Sequence, residues 1–204
     1  MTHQLDTWRG AFGDAYVDRN QADEATLAAR VKMWSRMLQR AAPIGPILEV
    51  GANIGLNLRA LTRLGQRDLH AVEPNERARR TLAEEGIVPP ERITDGFGAK
   101  LPFADGAFDL TFTSGVLIHV PPSDLEATVR EIVRTSRRYV LCAEYFSVEP
   151  QEKRYRGADG LLFTRDFGGF YLDCEPRLQL VDYGFFWRRA TGLDDLTWQL
   201  FEKH

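Results

Sequence analysis

Short, almost wholly apolar runs alternate along this chain with longer stretches in which apolar residues return every three or four positions. The first kind reads as buried strands, the second as amphipathic helices packed against them. A strand is predicted around Ile47, Leu48 and Val50, a second over 69–72 ending at Glu73, a third over 92–95, a fourth over 108–114 and a fifth over 139–144. Two more, 178–189 and 196–203, lie near the C-terminus, joined by ATGLDD. Between them, 23–40 places Leu27, Val31, Trp34 and Leu38 on one helical face, with Asp23 and Glu24 suited to its N-terminal end. Further helices carry Ile54, Leu58 and Leu61, span 75–85 up to Gly86, or follow Pro121-Pro122. In the last of these Ser123 and Glu126 form a potential capping box, ahead of Leu125, Val129, Ile132 and Val133. In residues 5–20, Trp8, Phe12 and Tyr16 recur every fourth position, but Gly10 and Gly13 interrupt a regular helix.

Composition narrows the class. With 204 residues and 44% hydrophobic content the chain can bury one sizeable core, and no repeat or low-complexity linker divides it. One domain over 1–204 is expected, with residues 1–40 as an N-terminal helical cover. The formal charge is −3 and no basic tract is present, which argues against a nucleic-acid partner. No apolar run reaches the roughly 18 residues of a membrane span, and the first residues lack the apolar core of a signal peptide. Cys142 and Cys174 make neither a disulfide framework nor a zinc site, and Cys142 sits in a core-like run. A cytoplasmic, soluble protein is expected, without a membrane partner, its oligomeric state left open.

The chemistry centres on PILEVGANIGLN, residues 46–57. A strand running into a glycine-containing turn and then a helix lets backbone N–H groups approach a polar ligand without an intervening Cβ. The dinucleotide pattern G-x-G-x-x-G needs glycine at 51, 53 and 56; the chain has Gly51, Asn53 and Leu56. A nicotinamide oxidoreductase is therefore disfavoured. Glu73 follows Gly51 by 22 positions, close to the spacing at which nucleotide-binding folds set an acid against the ribose hydroxyls. A nucleoside-containing cofactor fits both features.

The pattern E-x-G-x-x-x-G of Glu49, Gly51 and Gly55, with LPF-x-D-x-x-FD at 101–109, resembles class I S-adenosylmethionine (SAM)-dependent methyltransferases. Four further stretches resemble the pseudaminic acid biosynthesis-associated methylases over nearly the whole chain. They are WRGAFGDAYVDRN, the YRG at 155–157, LFTRDFGG, and VDYGFFWRR with DDLTWQLFEK. The resemblance implies an α/β fold with a seven-stranded, mostly parallel, doubly wound sheet closed by a C-terminal antiparallel hairpin. It implies SAM as cofactor, with S-adenosylhomocysteine (SAH) as product, and a small acidic or sugar-derived acceptor. The cofactor would lie on Glu49, Gly51, Asn53, Gly55 and Asn57, with Glu73-Pro74 at the ribose. Asp95, Gly96 and Phe97 would lie at the adenine, and Ser114 and Gly115 would border methyl transfer. Asn53 departs from the glycine usual in that loop.

Candidate acceptor-side residues follow. His119 could take a proton from a substrate hydroxyl, its ordinary pKa lying near neutrality. Tyr16 could close over the site and share the catalytic role. Arg30, in the helix of 23–40, faces solvent or the site. Lys153, Arg154, Arg156 and Arg165 crowd one segment after Tyr145, and arginine forks suit a carboxylate or phosphate. Tyr145, Arg30, Arg154 and Arg156, with Tyr16, are the acceptor-binding candidates. Asp194 and Asp195 read as a charged turn, and no metal site is expected. Thr113-Ser114-Gly115-Val116 stands where base-methylating enzymes carry N/D-P-P-Y/F, so that chemistry is not supported. Methyl transfer to oxygen is preferred and nitrogen left open; a silent SAM-binding regulatory or assembly protein is the competing expectation.

Overall fold

A computed structural model describes residues 3–204. The first two positions of the expected 1–40 cover therefore lie outside the described residues. Three helices open the chain, α1 (His3–Arg9), α2 (Ala11–Arg19) and α3 (Glu24–Met37). Then come β1 (Ile47–Val50), α4 (Leu56–Arg63), β2 (Leu69–Val72), α5 (Glu76–Glu84), β3 (Ile93–Thr94), β4 (Phe108–Ser114), α6 (Pro122–Thr135) and β5 (Ser136–Glu144). A small ribbon of β6 (Gln151–Glu152) and β7 (Phe163–Thr164) precedes α7 (Phe167–Cys174), β8 (Leu178–Phe186), α8 (Arg188–Thr191) and β9 (Leu196–Lys203).

Seven strands form one sheet in the order β3-β2-β1-β4-β5-β9-β8. The first five are parallel neighbours, and β9 inserts antiparallel between β5 and β8. The strand order reverses between β1 and β4, both of which leave β1's C-terminal end free for a ligand. Alternate side chains fill two apolar layers. Ile47, Phe112, Leu141 and Leu200 join Trp34 and Leu58 on one face, whereas Leu48, Val140, Cys142 and Phe201 join Val129, Ile132 and Tyr171 on the other. Both cysteines are free, and Cys142 is buried. No helix among the described residues is long and apolar enough to cross a membrane.

Asp23 caps α3 as its place in the sequence suggests, and Asn75, expected only as the first residue of a helix, caps α5. Asp23 accepts from the Thr26 backbone N–H, and Asn75 from that of Ala78, both at 2.9 Å. The capping box at Ser123 and Glu126 does not form: Pro121 occupies the N-cap, and the Ser123 hydroxyl turns to Asp124. A proline there already fixes the entry conformation and has no N–H to satisfy. Gly10 splits the N-terminal segment into two helices, yet Trp8, Phe12 and Tyr16 still meet edge to face, with centroids 5.2 and 5.4 Å from Trp8. Helix α7 was not legible in FGGF; Asp166 starts it by accepting from the Gly169 N–H.

Trp34 shows how tightly α3 is seated. It is fully buried, meets Phe112 at 4.5 Å between centroids and donates from Nε1 to Asn57 Oδ1 at 3.2 Å. Trp34→Ala is expected to cost about 3–5 kcal/mol. Urea unfolding checks this as a lowered midpoint with an unchanged slope.

Candidate active site

The turn after β1 is the floor of the first of two adjoining cavities. Gly51 (φ +80°) and Gly55 (φ +73°) adopt left-handed backbone. A Cβ on Gly51 would come within 2.6 Å of Val116, so glycine is required there by space as well as by conformation. Asn53 stands at φ +46°, in the left-handed region that asparagine tolerates better than most residues. The departure from glycine therefore leaves the loop's course intact. Its N–H donates to Glu73 Oε2 at 2.8 Å, and the Asn75 N–H donates to Oε1 at 2.8 Å. The acid at the end of β2 is thus oriented by two backbone amides, one of them from the β1 turn.

Glu49 lies behind this turn, 1% exposed. Its Oε1 accepts from Asn57 Nδ2 at 2.6 Å, while Asn57 Oδ1 receives Arg30 Nη1 at 2.7 Å and Trp34 Nε1. Glu49 Oε2 and Asn53 Oδ1 are buried with no hydrogen-bond partner. Burial raises the Glu49 carboxyl to about 8 and Glu73 to about 7, although Asn57 and Arg30 pull the first down and two backbone amides the second. A third buried acid, Glu144 at the end of β5, is raised to about 7 by burial. It accepts from the N–H groups of Val116 (3.2 Å) and Ile118 (3.5 Å), and so ties the turn carrying Ser114, Gly115 and His119 to β5.

Of the expected cofactor residues, Glu49, Gly51, Asn53, Asn57, Glu73, Pro74, Gly96, Phe97, Ser114 and Gly115 line the first cavity. Gly55 and Asp95 do not. Gly55 instead lets α4 approach α5, because a Cβ there would meet Leu82 at 2.5 Å. Asp95 is engaged elsewhere: it accepts Arg9 Nη2 at 2.8 Å and pairs with Arg79 at 3.3 Å, half exposed. Gln4, Leu5 and Trp8 of α1 line this cavity too, contacts that the sequence did not suggest.

The second cavity is lined by Tyr16, Arg30, His119, Tyr145 and Arg156 among the expected residues, joined by Asn20, Arg19, Tyr155 and Asp194. Tyr16, Asn20, Arg30, Ser114, Gly115 and His119 line both cavities. Arg154 does not reach either; it donates to the Gly157 carbonyl at 3.1 Å beside Asp159. Arg165 packs over the Phe170 ring at 3.9 Å, so the basic segment does not converge as one cluster. Asp194, read from the sequence as part of a charged turn, lines the second cavity instead. It enters from the turn before β9 and meets the Tyr145 side chain, a contact that no local spacing signals.

His119 has a defined protonation. Its Nδ1 lies 2.6 Å from the Leu161 carbonyl, which can only accept, so in the neutral ring Nδ1 carries the hydrogen and Nε2 the lone pair. Burial against Trp8 (4.6 Å between centroids) and Tyr155 (5.3 Å) pushes its pKa down to about 4. The ring is neutral at physiological pH and is a weak base there. This corrects the expectation that an ordinary, near-neutral histidine stands at the site.

Residues 48–142 match the family model described as a methyltransferase domain. A dimethylglycine N-methyltransferase of Parasynechococcus marenigrum is 28% identical over 104 residues, 48% of this chain and 37% of that protein. A sarcosine/dimethylglycine N-methyltransferase of Halorhodospira halochloris is 29% identical over 139 residues, 64% of this chain and 48% of that protein. The chain thus spans less than half the length of either curated relative. Among solved structures, the Burkholderia thailandensis 1,6-didemethyltoxoflavin-N1-methyltransferase, with bound 1,6-didemethyltoxoflavin and SAH, matches 97% of this chain and 88% of that one. Its TM-score is 0.72 at 20% identity. The magnesium protoporphyrin IX methyltransferase of Synechocystis, with bound SAM, matches 100% and 99% at a TM-score of 0.68 and 11% identity. These likenesses show the Rossmann-like methyltransferase fold. Among the described residues no cluster could hold a metal ion.

The three buried glutamates, Glu49, Glu73 and Glu144, set a pH dependence. Their folded pKa values lie above the ordinary 4.5, so above that pH the unfolded chain has released protons that the native state keeps. Native stability is fully expressed below that pH and falls as pH rises through 7 to 8. His119 and His70, both lowered by burial, work oppositely but only below their ordinary 6.5. The ligand-free protein is expected to melt at a higher temperature near pH 5.5 than near pH 8.5 in calorimetric scans.

Proposed function

We propose that this chain is a SAM-dependent methyltransferase that methylates an oxygen or nitrogen of a small acidic metabolite. The carrying observation is that one cavity, floored by the β1 turn and closed by Glu73, meets a second, arginine-bearing cavity at Tyr16, Ser114, Gly115 and His119. A cofactor in the first and an acceptor in the second would face each other there. The donor set of the first fits SAM. Glu49 Oε2, buried and unpartnered, suits the ammonium of the methionine end. Glu73, held by two amides, keeps lone pairs for the ribose hydroxyls. Gly96 and Phe97 are left to border the adenine. When bound, SAM supplies an electrophilic methyl on sulfur; its C–S bond breaks as the acceptor bond forms, with SAH leaving and the acceptor's proton passing to solvent.

The protein's part is orientation and exclusion of water. His119 Nε2 holds the acceptor's O–H or N–H by accepting a hydrogen bond, since its low pKa disfavours storing the proton. Arg30 and Arg156 supply positive charge for an acidic group. The helices of residues 3–40 cover both cavities through Trp8, Tyr16 and Asn20. The resemblance to the pseudaminic acid biosynthesis-associated methylases supports a sugar-derived acceptor, and the names of the two curated relatives support nitrogen beside oxygen as the receiving atom.

Calorimetric titration with SAM, SAH and NAD tests the reading. SAM and SAH are expected to bind and NAD not to. Glu73→Gln is expected to weaken SAH about 10–100-fold while the protein still folds, with a single cooperative melting transition. Unchanged affinity removes Glu73 from the ribose, and SAM binding without transfer to any acceptor favours a silent binding protein.

A further inference from the structure

The second cavity faces charges of both signs that do not pair with one another. Arg30 and Arg156 line it together with the Asp194 carboxylate, which enters from the turn before β9. Among the described residues none of the three forms an ion pair within the cavity. Arg30 spends Nη1 on Asn57, and its Nε is buried without a partner. Arg156 stands at φ +51° with its guanidinium 5.5 Å from the centre of the Tyr155 ring. Asp194 accepts a hydrogen bond from the Tyr145 hydroxyl and acts electrostatically on Tyr16 and Arg30 without forming an ion pair with Arg30. The turn before β9 brings it there, where its carboxylate meets the Tyr145 side chain. An acid and two guanidinium groups kept apart across one cavity match a ligand that itself carries both charges.

We propose that Asp194 selects an acceptor that bears an amine as well as an acid group, with the ammonium against Asp194 and the Tyr145 hydroxyl and the carboxylate against Arg30 and Arg156. The inference rests on the second cavity being the acceptor site. Asp194 lines that cavity and not the first, so it is a specificity residue and lies apart from the cofactor. A purely acidic acceptor would face Asp194 with like charge; a purely cationic one would leave the arginines unanswered. The nucleophile itself lies between these anchors, at Tyr16, Ser114, Gly115 and His119.

The SAH-loaded protein is titrated by calorimetry with three probes of one skeleton: D-glucosaminic acid, D-gluconic acid and D-glucosamine. The first is expected to bind about tenfold tighter than either of the others. In Asp194→Asn the advantage over gluconic acid should shrink to about twofold or less, with SAH affinity retained. Equal binding of glucosaminic and gluconic acids, an unchanged preference in Asp194→Asn, or binding of none of the three to protein that takes SAH overturns the proposal. Failure of SAH itself to bind instead overturns the methyltransferase reading on which it rests.

Discussion

A carboxylate without water around it governs how the site is put together. Glu49 ends β1 inside the protein, and burying an acid demands hydrogen bonds to one oxygen at least. Asn57 of α4 meets that demand, and Asn57 in turn receives Arg30 and Trp34 of α3. One chain of contacts therefore fixes β1, α4 and α3 together and brings a guanidinium to the boundary of both cavities. The other oxygen stays unpartnered, at a cost of roughly 1–3 kcal/mol. That oxygen, beside a turn built for close approach, is where the proposed cofactor's ammonium would sit.

A similar economy governs the far side of the junction. Glu144 fixes the Val116–Ile118 backbone, which presents His119 to both cavities. Trp8 from α1, and Tyr155 and the Leu161 carbonyl from the segment before α7, meet at that imidazole. His119 is thus one point where the N-terminal helices and the 151–165 segment meet the turn after β4. Its tautomer and its low pKa are consequences of that enclosure.

What the sequence disclosed was local. Gly51 and Gly55 mark a turn whatever surrounds them, and the interval to Glu73 reflects the length of one α/β unit, so both were legible. Asn53 looked like a defect only because identity was read and backbone angle was not; its left-handed φ preserves the turn. What the sequence hid depends on distant partners. Asp95 is intercepted by Arg9, 86 positions away, a contact no spacing predicts. Arg154 closes on its own loop, and the helix after Asp166 hides behind two glycines. Asp194 reaches its cavity from the turn before β9, against Tyr145, which lies 49 positions earlier in the chain.

The central claim is that buried Glu49 becomes the counter-ion of the cofactor's ammonium. Its ligand-free pKa of about 8 means that it is mostly protonated at neutral pH and must lose that proton on binding. Calorimetric titration of SAH near pH 7, repeated in phosphate and Tris buffers of different ionisation enthalpy, reads this directly. The account predicts release of about one proton or more per SAH bound, Glu73 adding to it, with affinity rising as pH climbs from about 6 to 8. Release should drop by about one proton in Glu49→Gln. Binding with no net proton release, and affinity flat across that range, would contradict it.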